Sequence, residues 1–364
     1  MTTRERYLRT LQFQPVDRVP LIEWPIRGAT MARWESEGYP VGVPSQEFFS
    51  LDTSNIYVPL NLGMHPKFDV EVISIEGDHK IWRDELGATR LDLANAEIDT
   101  PGFITRSWLK FAVENRADFL KMKERYVIAD PARYPNNMEK RFQILNDGVV
   151  PTHLSIPYLF WTIRDWVGFE NLCLMFYDDP ELVQEMFEFL TDFVIETLRP
   201  VIDKIDVDIV ELKEDMAYKH APMISPAMFK EFMYPQYVRL ISFLKSHGVK
   251  LVYVDCDGYP GNELTALWLE AGVDAVSPCE IAAGNDIVQL RKDFPTLGMF
   301  GGIDKRVLAR TKKEIEHEVY SKVPWMLERG GYIPHIDHAI PHDVPLENYI
   351  YYRKILTKVA YGQY

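Results

Sequence analysis

The chain has 364 residues, 47% hydrophobic and 26% charged, with 24 Pro and 20 Gly. That balance excludes a disordered or collagenous protein, because there is apolar mass for a large core. The net charge of −14 argues against nucleic-acid or anionic-membrane partners, which need clustered Lys and Arg. In chain order, residues 1–11 read as a charged amphipathic helix without a signal-peptide core. Residues 19–24 read as a first strand. Residues 50–145 are less regular, with hairpin-like segments at 69–87, and are expected to be an insertion. Residues 149–156 form a further strand. Asp179-Pro180-Glu181 opens a helix that buries Leu182, Met186, Phe189, Leu190, Phe193 and Val194 on one face. The run 206–212 (DVDIVEL) is a buried strand. A helix then starts with Ser225 as N-cap and Pro226 at its first position, and Pro235 bends it. Strands follow at 250–254, 275–278, 297–303 and 331–336. Between or after them come helices at 262–270, from a capping box at Thr311–Glu314, and at 346–359.

Strand, loop and helix recur every 25 to 35 residues, which implies βαβ units and a parallel sheet. The strands are near-continuous apolar runs, so both faces of each are expected to be buried. The expected fold is an α/β (β/α)8 TIM barrel in a single domain covering 1–364. A doubly wound sheet is the runner-up, but no glycine-rich nucleotide turn follows any strand. Three widely spaced cysteines, Cys173, Cys256 and Cys279, imply no disulfide scaffold and favour a reducing cytoplasm. The longest apolar runs, such as 154–161, are too short to cross a bilayer.

In a parallel barrel the side chains at the carboxyl ends of the strands line the active site. That register selects Glu23, Glu214-Asp215, Asp255 and Asp257, Cys279-Glu280, Asp304-Lys305-Arg306 and Asp337-His338. Several carboxylates converging on one cavity cannot all ionise without a compensating cation, so a divalent metal held with His338 is expected. Each element also has a plainer reading. Asp255-Cys256-Asp257-Gly258 is an ordinary turn sequence. Cys256 and Cys279 read as small buried hydrophobes. Asp304 could simply cap a helix, and Arg306 could belong to a surface salt-bridge cluster. His335 and His342, in a strand-to-loop segment, do not share a face with His338 and are not expected to be ligands.

An ordered series of motifs resembles one known family. It comprises Glu214-Asp215-Met216-Ala217, Ile224-Ser225-Pro226, Asp257-Gly258, Pro278-Cys279-Glu280 with Gly284-Asn285-Asp286, Gly301-Gly302-Ile303-Asp304, and Gly330-Gly331-Tyr332-Ile333-Pro334 with Asp337-His338. The opening stretch 4–24 fits as well. Together these resemble the uroporphyrinogen decarboxylase superfamily over nearly the whole chain, which implies a single-domain barrel. The decarboxylases of that superfamily carry Arg-Gln-Ala-Gly-Arg after the first strand, and arginine forks suit polycarboxylate substrates. Here the stretch is Glu23-Trp24-Pro25-Ile26-Arg27-Gly28-Ala29, and an acidic rim would repel such a substrate.

The superfamily's second branch contains zinc-dependent methyltransferases that work with a corrinoid protein or a thiol. Its thiol-using members bind zinc through His-x-Cys and Cys. The corresponding positions here are Asp255-Cys256-Asp257 and His338, which suit harder ions and an oxygen-bound methyl donor. The resemblance therefore implies methyl transfer between a small methoxylated or methylated substrate and a corrinoid (cobalamin) protein. Asp257, Glu280 and His338 are the expected metal (zinc) ligands, and Asp215, Glu23 and Arg306 the expected catalytic residues. Tyr218, Tyr259 and Asp304 are expected to bind the cofactor. A decarboxylase of a tetrapyrrole or smaller carboxylate, and a non-catalytic tetrapyrrole- or corrinoid-binding barrel, are the alternatives. Neither nucleic acid nor membrane is an expected partner, and self-association stays open.

Overall fold

The computed structural model describes residues 1–53, 55–95 and 107–363. Its strands, in chain order, are β1 (Ile56–Tyr57), β2 (Glu71–Glu76), β3 (His79–Arg83), β4 (Thr89–Leu93), β5 (Ser107–Lys110), β6 (Thr152–Pro157), β7 (Ile209–Lys213), β8 (Leu251–Asp255), β9 (Ala275–Ser277), β10 (Gly298–Ile303) and β11 (Tyr332–Ile336). They form a seven-stranded parallel sheet, ordered β1-β6-β7-β8-β9-β10-β11, and a four-stranded antiparallel sheet, β2-β3-β4-β5. The chain divides into two compact units. One is Met1–Val58, Glu139–Ile156 and Ile202–Tyr364; the other is Pro59–Met138 and Pro157–Val201.

The parallel sheet belongs to the first unit. Apart from the two-residue edge strand β1, its strands are buried along almost their whole length, as apolar runs covered on both faces require. Side chains alternate in direction with period two, so Ile209, Glu211 and Lys213 share one face of β7, and Leu251, Tyr253 and Asp255 one face of β8. On each of these strands the shared face runs from apolar at the amino end to charged at the carboxyl end. Ile209, Leu251, Tyr253, Ala275, Phe300 and Ile333 pack together with Tyr7, Leu11 and Ile22. Burial of each such large side chain contributes about 1.5–3 kcal/mol. Tyr7 and Leu11 come from the helix Thr3–Leu11, which opens with a capping box between Thr2 and Glu5.

The expected caps at Asp179, Ser225 and Thr311 are all formed. The helix begun by Ser225 widens into a π turn over Phe229–Met233 and resumes as Tyr234–Ser246. Pro235 has no N–H to give the carbonyl four residues back, and the wider turn accommodates that loss.

One expected strand is different. Residues 19–24 join no ladder, and the edge beside β6 is occupied by β1 instead. Pro20 and Pro25 remove two ladder donors, and Asp52 serves the segment's backbone with both its side chain and its own N–H. Leu21 N donates to Asp52 Oδ2 at 2.8 Å, and Asp52 N donates to Leu21 O at 2.9 Å.

In the second unit, the hairpin expected at 69–87 is β2–β3, extended by β4 and β5 into an antiparallel sheet. The helix Pro180–Leu198 buries Leu182, Met186, Leu190, Phe193 and Val194, as its spacing predicts, whereas Phe189, expected on the same face, is only partly buried. Part of the expected insertion, residues 96–106, lies outside the described residues.

Candidate active site

The carboxyl ends of β7 to β11 hold a linked set of charged loops. After β7, Asp215 has φ +38°, an unusual value for a residue with a side chain. Its Oδ1 accepts a hydrogen bond from Asp257 N at 3.2 Å, and the loop folds back through Tyr218 N to Ala221 O and Met223 N to Met216 O. The turn after β8 lies directly on this loop. Gly258 has φ +84°, and a Cβ there would stand 2.8 Å from Tyr218 O. Glycine is therefore required both by conformation and by close approach.

Three further loops are tied together by one buried carboxylate. Asp337, after β11, is wholly buried and accepts Ile281 N at 2.7 Å and Lys305 N at 3.1 Å. Burial pushes its carboxyl up, and neighbouring Lys305 pulls it back. Lys305 Nζ lies 2.8 Å from Glu280 Oε1 and 3.6 Å from Asp337 Oδ1. Glu280 Oε2 also accepts Gly258 N at 3.2 Å. His338 Nε2 lies 3.2 Å from Asp257 Oδ2, and its ring stacks on Trp24 with centroids 5.8 Å apart.

The expected site residues therefore fall into three groups. Asp215, Asp257, Glu280 and His338 stand on neighbouring loops at the strand ends, with Asp257 joined to both Asp215 and His338. Glu23 belongs to a different, buried network. Its side chain is 1% exposed, accepts Ile336 N at 3.0 Å and Tyr352 Oη at 3.1 Å, and faces Arg353 at 3.2 Å. Burial pushes its carboxyl up to about 7 against the pull of Arg353. Asp304 and Arg306 pair with each other at 2.7 Å, and Asp304 caps the short helix Lys305–Ala309. Burial opposes ionisation of Asp304, but the Arg306 hydrogen bonds outweigh it and hold its carboxyl below the ordinary range.

Tyr218 is exposed, while Tyr259 lines a cavity of about 30 Å³ with Cys256, Cys279 and Trp268. That is room for one water. Burial pushes the Cys279 thiol up to about 12 and the Cys256 thiol well above its usual value, so both are neutral thiols rather than thiolates. His335 is buried, with its pKa pushed down to about 4.

The inner face of the sheet adds residues that the motif reading passed over. Glu211 Oε1 accepts Tyr253 Oη at 2.8 Å, and His153 Nε2 stands 3.9 Å from Glu211 Oε2. Burial pushes His153 down to about 4, so its ring is neutral. Burial, with Glu211, Asp257 and Asp215 nearby, raises the Asp255 carboxyl well above the usual range. The signal for these residues was present: one glutamate inside DVDIVEL, and one histidine inside the apolar run 149–156. A charged or polar residue facing into a buried strand needs a reason.

Among the described residues, no three His, Cys, Asp or Glu side chains converge as a metal site. Asp257 and His338 supply two adjacent donors, while Glu280 is engaged by Lys305 and Gly258 N. A three-ligand zinc set does not fit this arrangement.

The family model described as Uroporphyrinogen decarboxylase (URO-D) matches residues 164–358. A curated relative, the uroporphyrinogen decarboxylase of Actinobacillus succinogenes, is 24% identical over 360 residues, covering 94% of each protein. A methyltransferase from Methanosarcina mazei shares the fold, at TM-score 0.61 and 14% identity over 99% of this chain and 98% of that one. Motif order, strand-end geometry and the family match agree: the chain belongs to the uroporphyrinogen decarboxylase (URO-D) family.

Proposed function

We propose that this protein moves a methyl group from a small methylated or methoxylated molecule to a corrinoid-bearing protein. The observation that carries this reading is the charge at the strand ends. Asp215, Asp255, Asp257 and Glu280 stand there with His338, whereas Lys305 is paired with Glu280 and Arg306 with Asp304. A polycarboxylate tetrapyrrole would need guanidinium forks and would meet carboxylates instead. A neutral or cationic methylated molecule would not be repelled.

In such a transfer the acceptor's electron pair attacks the methyl carbon, and the leaving atom departs with the bonding pair. His338, held between Asp257 and Trp24, would give its Nε2 proton to a leaving oxygen that takes the place of Asp257 Oδ2 as its partner. The metal expectation stands as a proposal with two donors, Asp257 and His338, and no step is routed through it. We take the chain as one closed (β/α)8 barrel with an insertion at about 50–145. Residues 19–24 support this by reaching β11 through the Glu23–Ile336 N hydrogen bond.

A second reading, decarboxylation of a smaller carboxylated substrate, is favoured by the name of the curated relative along 94% of its length. Incubation with cob(I)alamin and a panel of methoxylated and N-methylated compounds separates the two. Protein-dependent formation of methylcob(III)alamin, lost in Asp257→Asn, is the expected result. No transfer across the panel, with protein-dependent CO2 release from a panel of small carboxylated compounds, would replace methyl transfer by decarboxylation.

A further inference from the structure

Six rings follow one another in a continuous arc. Tyr57 stacks on His153 with centroids 4.7 Å apart, His153 meets Tyr253 at 5.8 Å, and Tyr253 meets Phe300 at 5.0 Å. Phe300 then lies 6.5 Å from His335, and His335 6.1 Å from Trp24. Most of this arc is buried, but Tyr57 is 55% exposed, so one end opens to solvent.

A carboxylate with one oxygen that no hydrogen bond reaches stands against the arc. The Glu211 side chain is only 8% exposed, yet its Oε2 has no hydrogen-bond partner among the described residues. Half-exposed Lys213 pairs with this oxygen through Nζ at 3.9 Å and His153 Nε2 stands equally far, both beyond hydrogen-bond reach. Trp24 Nε1, at the other end of the arc, is likewise buried without an acceptor among the described residues. A buried carboxylate oxygen left unsatisfied is costly, on the order of 1–3 kcal/mol or more, and a ligand that faces it would remove that cost.

A compact metal ion does not suit this arrangement, since no three ligand side chains converge among the described residues. An organic cation does. Its charge is spread over methyl groups, so it needs ring faces and a carboxylate field rather than converging lone pairs. We infer that the methyl donor of this site is an organic cation, an N-methylated ammonium compound seated on the ring arc with its charge toward Glu211.

The chemistry of this inference rests on the methyl-transfer reading; the binding does not. In the transfer, the nucleophilic cobalt(I) of the corrinoid substrate forms a bond to the methyl carbon, and the C–N bond breaks. The bonding pair stays on nitrogen, which leaves as a neutral tertiary amine, and cobalt is formally oxidised to methylcobalt(III). No proton is required. The positive charge leaves the amine as the methyl group leaves it, so the Glu211 carboxylate loses its hold on the product.

Titration calorimetry of the full chain with choline, and with its neutral carbon isostere 3,3-dimethylbutan-1-ol, tests the inference. Choline should bind at least about tenfold more tightly than the isostere. Glu211→Gln, which keeps the acceptor for Tyr253 Oη, should weaken choline about tenfold and leave the isostere unchanged. Tyr57→Ala, at an exposed ring, should weaken choline as well. Equal affinity for the two ligands, or choline binding untouched by both substitutions, overturns the inference. Methyl transfer from neutral methoxylated donors with no choline binding overturns the inference alone. Selective choline binding with no methyl transfer from any donor sustains the organic-cation site alone and overturns the transfer reading together with the donor role.

Discussion

Removing the Asp337 carboxylate should loosen three strand-end loops at once. Its two oxygens accept Ile281 N and Lys305 N, and Lys305 in turn holds Glu280. Hydrogen bonds to a charged group contribute about 1.5–3 kcal/mol each, so Asp337→Ala should lose about 3–6 kcal/mol. Asp337→Asn keeps one acceptor and turns an NH2 toward a backbone N–H, for a loss of about 2–4 kcal/mol. With an unfolding entropy of about 2.1 cal/mol/K per residue, the 364-residue chain loses roughly 1.3 °C of Tm per kcal/mol. The alanine variant should therefore melt about 4–8 °C below the parent, and the asparagine variant about 3–5 °C below. Differential scanning calorimetry at neutral pH measures both shifts. Melting of both variants within about 1 °C of the parent would refute the assignment of Asp337 as the tie between these loops.

Three substitutions and one reagent probe particular features. A Cβ at Gly301, where φ is +84°, would lie 2.1 Å from Pro278 O. Gly301→Ala should cost more than about 3 kcal/mol in denaturant titrations, whereas Gly28→Ala, in open space at a helix start, should be neutral within about 1 kcal/mol. Glu23 keeps its proton to about pH 7 in the folded chain, against about 4.5 for an ordinary glutamate. The folded state thus binds more protons over that window, and the unfolding free energy should fall as pH rises through it, by on the order of 3 kcal/mol. Glu23→Gln should flatten that stretch of the Tm–pH profile; an unchanged slope would assign it to other groups. Cys256 and Cys279 are buried neutral thiols and Cys173 is half-buried. Ellman's reagent should therefore find at most one reactive thiol in the native protein and three after denaturation.

The strands of the parallel sheet were legible because burial on both faces leaves an apolar run that needs no partner to be recognised. The segment 19–24 has the same composition, but Pro20 within it and Pro25 just after it decide the hydrogen bonding, and β1 takes the sheet edge with only two residues. The position of the acidic residues at the strand ends was readable from register. Which charge answers which was not, because pairs such as Glu280–Lys305 and Asp257–His338 join loops 25 and 81 residues apart, set by tertiary approach. Glu23 shows the same limit: its position at a strand-like end looked catalytic, while Arg353, Tyr352 and Ile336 draw it into a buried network. Glu211 and His153 were hidden in runs read only for their apolar neighbours.

Following a 13C label tests the central claim most directly. A donor labelled at its methyl carbon is mixed with the protein and cob(I)alamin, and the carbon is observed by NMR. Methyl transfer predicts protein-dependent loss of the donor resonance and growth of a cobalt-bound methyl resonance, both abolished by Asp257→Asn. A label that stays on every donor, while a carboxylated tetrapyrrole loses CO2 in the same preparation, would contradict it.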